Sequence, residues 1–576
     1  MPRRAANTRR GLVSWPLYRL LLVIALVPVL VAALATREPA LPPTPPTPPT
    51  PFNGGAAATR AAYMLSLPKM RGPGGKGDLA AAGWISSQLE RFGYKVTNQT
   101  FAADLPGQPN VPMRNVIGYL PGRLPDLIAV VAHHDGVGTG ADDNASSVGV
   151  MLELARELRP AALEHGLLFV STDGGTTGGQ GAAYFAEHSL LARRVVSAIV
   201  LDSVAAPEGT PIRIVIRPDT TRGTSPTLFR TARSAIQRTT GRSPVVPGLL
   251  DQLSGLAVPY ALGEQGPLLA RNVPALSLTA GPPPDPNATF TSYSPAQLTD
   301  VGNATASLVQ QLDGASVIEP GGRPDIFLGT RTMRGWLAET ALVALLAPAL
   351  ACTLDMAARC RRRRLPLAPA VTALCWRVLP WAAFLVTLWL LPVLPGDLAS
   401  GLNLAPRPHA LGIPWSGILL AALAGVAVWR FATRPRTAIV TTVSGGERTS
   451  GLVAGLLGLA FASTLLVAFN PFALILVLPA AHAWLLLPTA ARAGRRYMVL
   501  VYLIGFLGPA LLIFEYATQF HLGLSTPRAM LAMTASGYLS PAIAVCLILT
   551  AASAAQVAAL IAGRYGPAHP PHRLYN

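Results

Sequence analysis

The sequence predicts an α/β domain, built on a mixed, mainly parallel sheet flanked by helices, joined to an all-α polytopic membrane domain. Three observations predict it. Of the 576 residues, 51% are hydrophobic and only 13% charged, with a mean hydropathy of +0.41, too apolar for one large soluble protein. Short apolar runs alternate with helical segments between residues 61 and 316, the pattern of strands joined by crossover helices. Long apolar runs occur at residues 17–35 and recur after Gly335.

Charge places the parts. The formal net charge is +18. Between Arg37 and Gly335 stand 24 basic and 23 acidic residues, a balance of +1, so the apolar flanks carry +17. This excludes a basic nucleic-acid domain, and no nucleic-acid partner is expected. Arginines in apolar flanks orient a membrane protein in its lipid bilayer.

Residues 1–16 are a basic cytoplasmic start and residues 17–35 a transmembrane anchor. A cleaved signal peptide would share the basic start, but the apolar run is long for one. Residues 36–60 read as a Pro-rich linker whose tract Pro42–Pro51 favours a stiff polyproline II spacer. Residues 61–316 then form the folded domain. Its first helix is expected at Asp78–Phe92, where Leu79, Ala82, Trp84, Ile85 and Leu89 recur at helical spacing before Gly93. Strands are expected at Asn115–Leu120, Leu127–Ala132, Leu167–Thr172, Ala198–Leu201, Ile212–Ile216 and Ala275–Thr279. Helices are expected at Ser146–Leu158, Ala182–His188, Pro226–Arg238 and Pro295–Leu312.

Residues 336–563 read as a seven-helix membrane domain, with helices near 336–354, 368–394, 411–430, 451–468, 471–488, 497–516 and 541–563, followed by a cytoplasmic tail at 564–576. Ser525–Leu539 reads as a re-entrant or interfacial piece. With both termini cytoplasmic, inner segments hold 19 arginines and the short outer loops only Arg407 and Arg528. The expected protein is therefore a multi-pass protein of a bacterial plasma membrane with residues 36–335 extracytoplasmic. Cys352, Cys360, Cys375 and Cys546 all fall in or beside the membrane helices, so a disulfide-stapled or Cys-ligated zinc domain is excluded outside.

Chemistry gathers where strands end. The strand Leu127–Ala132 runs into His133-His134-Asp135, and a glycine-rich loop leads on to Asp142-Asp143-Asn144. The next two strands end in Asp173 and Asp202. One imidazole and several carboxylates at the carboxyl ends of parallel strands suit a zinc-like cation. Helix capping by Asp142, Asp143 and Asn144 is the alternative; it accounts for one acidic residue and leaves the other strand ends unexplained. Gly72–Gly77 lacks the spacing of a phosphate loop, and His165 and His188 read as surface histidines.

These residues carry a resemblance. Ala132-His133-His134-Asp135, Gly140-Ala141-Asp142-Asp143-Asn144-Ala145-Ser146 and Leu152–Arg156 resemble the zinc aminopeptidase family of aminopeptidase Y and glutamate carboxypeptidase II. Arg71-Gly72, Gly93-Tyr94, Gly181–Phe185, Leu201-Asp202 and Val273-Pro274-Ala275 resemble further parts of it, and the likeness covers about residues 60–315. It implies an aminopeptidase-like domain with His133, Asp143 and Asp202 as ligands of one metal, Asp135 as the carboxylate that orients His133, and peptide or amide hydrolysis as the activity.

The departures are as specific. Where the family has a Glu-Glu pair, this chain has Asp173-Gly174-Gly175, and Gly281–Phe290 holds no final His. The ligands retained are one metal's set, so one zinc ion is expected, with Asp173 as the stand-in for the catalytic base. The order of parts resembles the attachment subunit of the GPI transamidase, which implies membrane-complex subunits as partners. Two readings follow: a membrane-anchored metallopeptidase-like hydrolase with a partly degenerate zinc site acting on a peptide or lipid-linked substrate, or a catalytically inactive binding and scaffold protein.

Overall fold

The computed structural model describes residues 12–43, 51–67, 71–105, 108–136, 144–159, 163–280, 294–391, 415–439, 442–535 and 539–568. The chain divides into two compact units, one helical and one, Thr36–Gly335, of mixed α/β structure. The first helix, α1 (Trp15–Leu34), belongs to the helical unit.

In the α/β unit, seven strands form one sheet: β1 (Lys95–Leu105), β2 (Gln108–Leu120), β3 (Leu127–His133), β4 (Gly166–Thr172), β5 (Val195–Leu201), β6 (Ile212–Val215) and β7 (Ala275–Ala280). Their order is β1-β2-β4-β3-β5-β7-β6. The four central strands run parallel, and β1, β2 and β6 pair antiparallel at the margins. This is the mixed, mainly parallel sheet expected. A central parallel strand is covered on both faces, so β3 reads as a continuous apolar run and all seven of its residues are buried.

Helices cover both faces. Ile128, Val130 and Ala132 of β3 pack with α2 (Gly54–Ser66), α3 (Lys76–Arg91), α4 (Ser146–Leu158), α6 (Pro226–Thr240) and α9 (Pro295–Asp313). Leu127, Ala129 and Val131 point the other way, toward α5 (Gln180–His188) and α8 (Gln265–Ala270). Between α6 and α8 lies α7 (Leu249–Ala257), and β8 (Ile326–Leu328) pairs with β9 (Arg331–Met333). The expected strands and helices are present with ends shifted by a few residues, most at β2, which starts at Gln108.

Two features differ from expectation. Helix α2 begins in the stretch read as linker and runs on into the folded domain, capped by Asn53, whose side chain accepts from Ala56 N at 2.9 Å. His165 is buried, with Nδ1 3.2 Å from the carbonyl of Asp313, whereas His188 is exposed and stacks on Tyr184.

In the helical unit, seven helices among the described residues are long and apolar enough to cross a membrane: Trp15–Leu34, Gly335–Arg362, Leu367–Leu390, Trp415–Arg436, Gly445–Phe469, Pro471–Ala493 and Pro541–Ile561. The helix expected near 497–516 is a pair, Arg495–Ile504 and Leu507–Gln519, bent by 48°. Ser525–Leu539 contains the ten-residue helix Thr526–Ala535, about 15 Å long and too short to span.

Candidate functional site

Alternation along β3 sends His133 and His134 to opposite faces at the carboxyl end of the sheet. Each meets its own set of carboxylates.

His133 lies on the α5/α8 face. Its Nδ1 is 3.0 Å from the carbonyl oxygen and 3.2 Å from Oδ1 of Asp135. Asp135 is fully buried and itself held: its carboxylate accepts from Gly175 N at 2.8 Å, from Thr176 N at 3.0 Å and from the Thr176 hydroxyl. Burial alone would raise its pKa, but His133 and these donors hold it well below the usual carboxylate range. Burial likewise works against a charged His133, yet Asp135 outweighs it and the imidazole is pushed up to about 9. Held at Nδ1, the ring turns Nε2 toward Asp202. It stands 4.0 Å from Oδ1 of Asp202, which follows β5 and accepts from Ser203 Oγ at 3.0 Å. Ser203 holds a left-handed φ of 51°, an uncommon conformation for a residue with a side chain.

Glu264, just before α8, completes this face. Only 2% exposed, it accepts from the Thr172 hydroxyl through Oε1, while Oε2 has no hydrogen-bond partner. Burial pushes its carboxyl up to about 7, against the opposing pull of His133. Gly263 lies beside Asp202, where a Cβ would sit 3.2 Å from Oδ2.

On the opposite face stand His134, Asp78 from the first turn of α3, and Asp173 just past β4. All three are fully buried. Their ligating atoms lie within 4.8 Å of one another, which makes them a group able to hold a metal ion. Asp173 was expected near the catalytic water, but among the described residues no hydrogen bond or ion pair joins it to His133 or Asp202. Its carboxylate accepts from Arg114 N at 3.0 Å, beside Asp78 and His134.

Thus His133, Asp135 and Asp202 lie together, Asp173 stands with Asp78 and His134, and Asp143 lies outside the described residues. Sequence reasoning missed Glu264 and Asp78. Glu264 did carry a signal, as the single carboxylate between Asp251 and Asp285 in an otherwise apolar stretch. Asp78 carried none, because an acidic residue in a helix's first turn is explained by the helix dipole.

Residues 115–249 match Peptidase family M28. The alkaline phosphatase isozyme conversion protein of Escherichia coli is 30% identical over 153 residues, 22% of this chain and 44% of that protein, so the match spans under half of that relative's length. A Bacteroides thetaiotaomicron glutaminyl cyclase superposes with a TM-score of 0.39 at 20% identity, covering 45% of this chain and 98% of its own. A leucine aminopeptidase precursor from the same organism gives 0.39 at 19% identity over 47% and 99%. A Zn-dependent exopeptidase from Parabacteroides distasonis gives 0.38 at 18% over 45% and 98%. The family match runs from the middle of β2 to the first residue of α7.

Proposed function

We propose that this chain is a membrane-anchored, zinc-dependent hydrolase of peptide or amide bonds, working outside the cytoplasm with a partly degenerate site. The observation that carries the reading is the His133 arrangement: an imidazole oriented by a buried Asp135, with Asp202 Oδ1 4.0 Å from its Nε2. That donor chemistry fits zinc, and His133, Asp202 and Asp143 are the residues that would hold it. When bound, zinc supplies Lewis acidity toward a substrate carbonyl.

The chain's own residues divide the remaining work. Asp135 fixes the imidazole, and Thr176 and Gly175 fix Asp135. Glu264 is the buried carboxyl beside this set with an uncommitted oxygen, so it is the group that holds or passes a proton, in place of the missing Glu-Glu pair. The inactive-binding reading draws on one observation. The loop where the resemblance implies glutamates instead turns backbone N–H groups of Gly175 and Thr176 onto Asp135.

The test is zinc content and turnover of unblocked peptides by the purified full chain. Zinc-dependent turnover lost in His133→Ala, and reduced about 100-fold or more in Glu264→Gln with zinc retained, supports the hydrolase. A wild-type chain that holds zinc and binds peptides without cleaving them supports the binding protein instead.

A further inference from the structure

We propose that Asp78, His134 and Asp173 form a second metal site, a closed structural zinc site on the sheet face opposite His133. None of the three is among the ligands the family resemblance implies, and the proposal stands whether or not the chain is a hydrolase.

Placement comes from register. His133 pairs with Thr172 across β3 and β4, and His134 N donates to Thr172 O at 2.9 Å. The next residues, His134 and Asp173, therefore sit side by side on one face. The first turn of α3 lowers Asp78 onto them, and the three ligating atoms fall within 4.8 Å of one another. His134 Nε2 and Asp78 Oδ1 are 3.5 Å apart. Donors bound to one tetrahedral zinc at about 2.0–2.2 Å stand roughly 3.3–3.6 Å from each other, so the His134–Asp78 pair needs little adjustment.

Unmet bonding points to the ligand. Both Asp78 oxygens, Asp173 Oδ1 and His134 Nε2 are buried without a hydrogen-bond partner. The outward atoms, in contrast, are anchored: His134 Nδ1 lies 2.9 Å from Ser171 Oγ, and Asp173 Oδ2 accepts from Arg114 N. Outer atoms tied down and inner atoms converging on one point are how metal ligands are held. Two ionised carboxylates facing each other in a dry site repel unless they share a proton; a divalent cation between them and the imidazole removes the repulsion without one.

Full burial of all three residues, with both Asp78 oxygens available to complete four donors, leaves the ion no open face for substrate, hence a structural role. The ion would tie α3 to the ends of β3 and β4, and so fix the backbone carrying His133 and Asp135.

Zinc is counted by mass spectrometry on the purified full chain and three variants, His133→Ala, Asp78→Asn and His134→Gln. The proposal expects His133→Ala to keep one tightly held zinc, with X-ray absorption reporting one imidazole and oxygen donors. Asp78→Asn and His134→Gln each lose that zinc, and chelation lowers the melting temperature of His133→Ala. A His133→Ala chain without zinc overturns the proposal, even if both other variants fail to fold. So does Asp78→Asn with unchanged zinc, because a proton shared by Asp78 and Asp173 would then suffice. Failure of the hydrolase reading looks different: zinc survives in His133→Ala while turnover is absent from the wild type.

Discussion

Gly175 lies against His133 so closely that a Cβ would run into the imidazole. Space, not backbone strain, keeps glycine there, and the close approach lets its N–H reach Asp135. Gly175→Ala should push the loop off His133 and destabilise the α/β unit by about 1–3 kcal/mol, read as a lower melting temperature; an unchanged melt would count against the packing. His165 offers a pH test. Its bond to Asp313 raises its pKa above the usual 6.5, against a smaller loss from burial. A raised folded-state value means stabilisation is fully present below about pH 6.5 and fades as pH rises through the folded value. The melting difference between wild type and His165→Gln should therefore be larger near pH 5.5 than near pH 8.5; a difference that does not vary with pH would refute it. Both residues mark how far a linear reading reaches. His133, Asp135 and Asp202 stand out because each follows an apolar strand, whereas the burial of His165 and the reach of Glu264 depend on contacts 148 and 92 residues distant.

Elements whose burial is one-sided or complete were readable, and those built from small or half-exposed residues were not. Helix α4 was expected at Ser146–Leu158 and is found there, and β3 and β4 each gain one residue. β1 is an edge strand without a fully buried residue, so its apolar alternation is faint. Helix α2 escaped because alanine and glycine, the residues that let it approach α4, carry little hydrophobic signal. Ala57, Ala61 and Met64 of α2 are fully buried, and a Cβ at Gly149 of α4 would run into the carbonyl of Ala57. Gly149→Ala is therefore a test with two opposed effects. Helix propensity favours alanine by about 1 kcal/mol, but the contact is with rigid backbone and must separate two packed helices. The clash should win, lowering the melting temperature; a stabilised variant would show that α2 is only loosely seated.

At the scale of the whole chain, crossing number and charge must agree. Seven helices qualify as spans, and the bent pair Arg495–Ile504 and Leu507–Gln519 decides between seven and eight. Arg492 precedes the pair, Arg495 and Arg496 open it, and Arg564 follows the last helix, Pro541–Ile561. Basic residues favour the cytoplasmic side. If the pair crosses, the pair and the last helix together return the chain to its starting side, and both arginine groups face the cytoplasm. If the pair instead dips in and out, Arg564 lies on the opposite side from Arg492–Arg496, against the charge rule. The break at Gly505-Phe506 costs few hydrogen bonds, because Gly505 N and Phe506 N still donate to Tyr502 O and Leu503 O at 3.1 and 2.9 Å. Eight crossings are therefore expected. Reporters that report their side of the membrane, fused after Gly494 and after Arg564, should give the same cytoplasmic signal, while one placed within the Thr36–Gly335 unit should give the opposite one. Opposite signals at Gly494 and Arg564 would make the bent pair re-entrant.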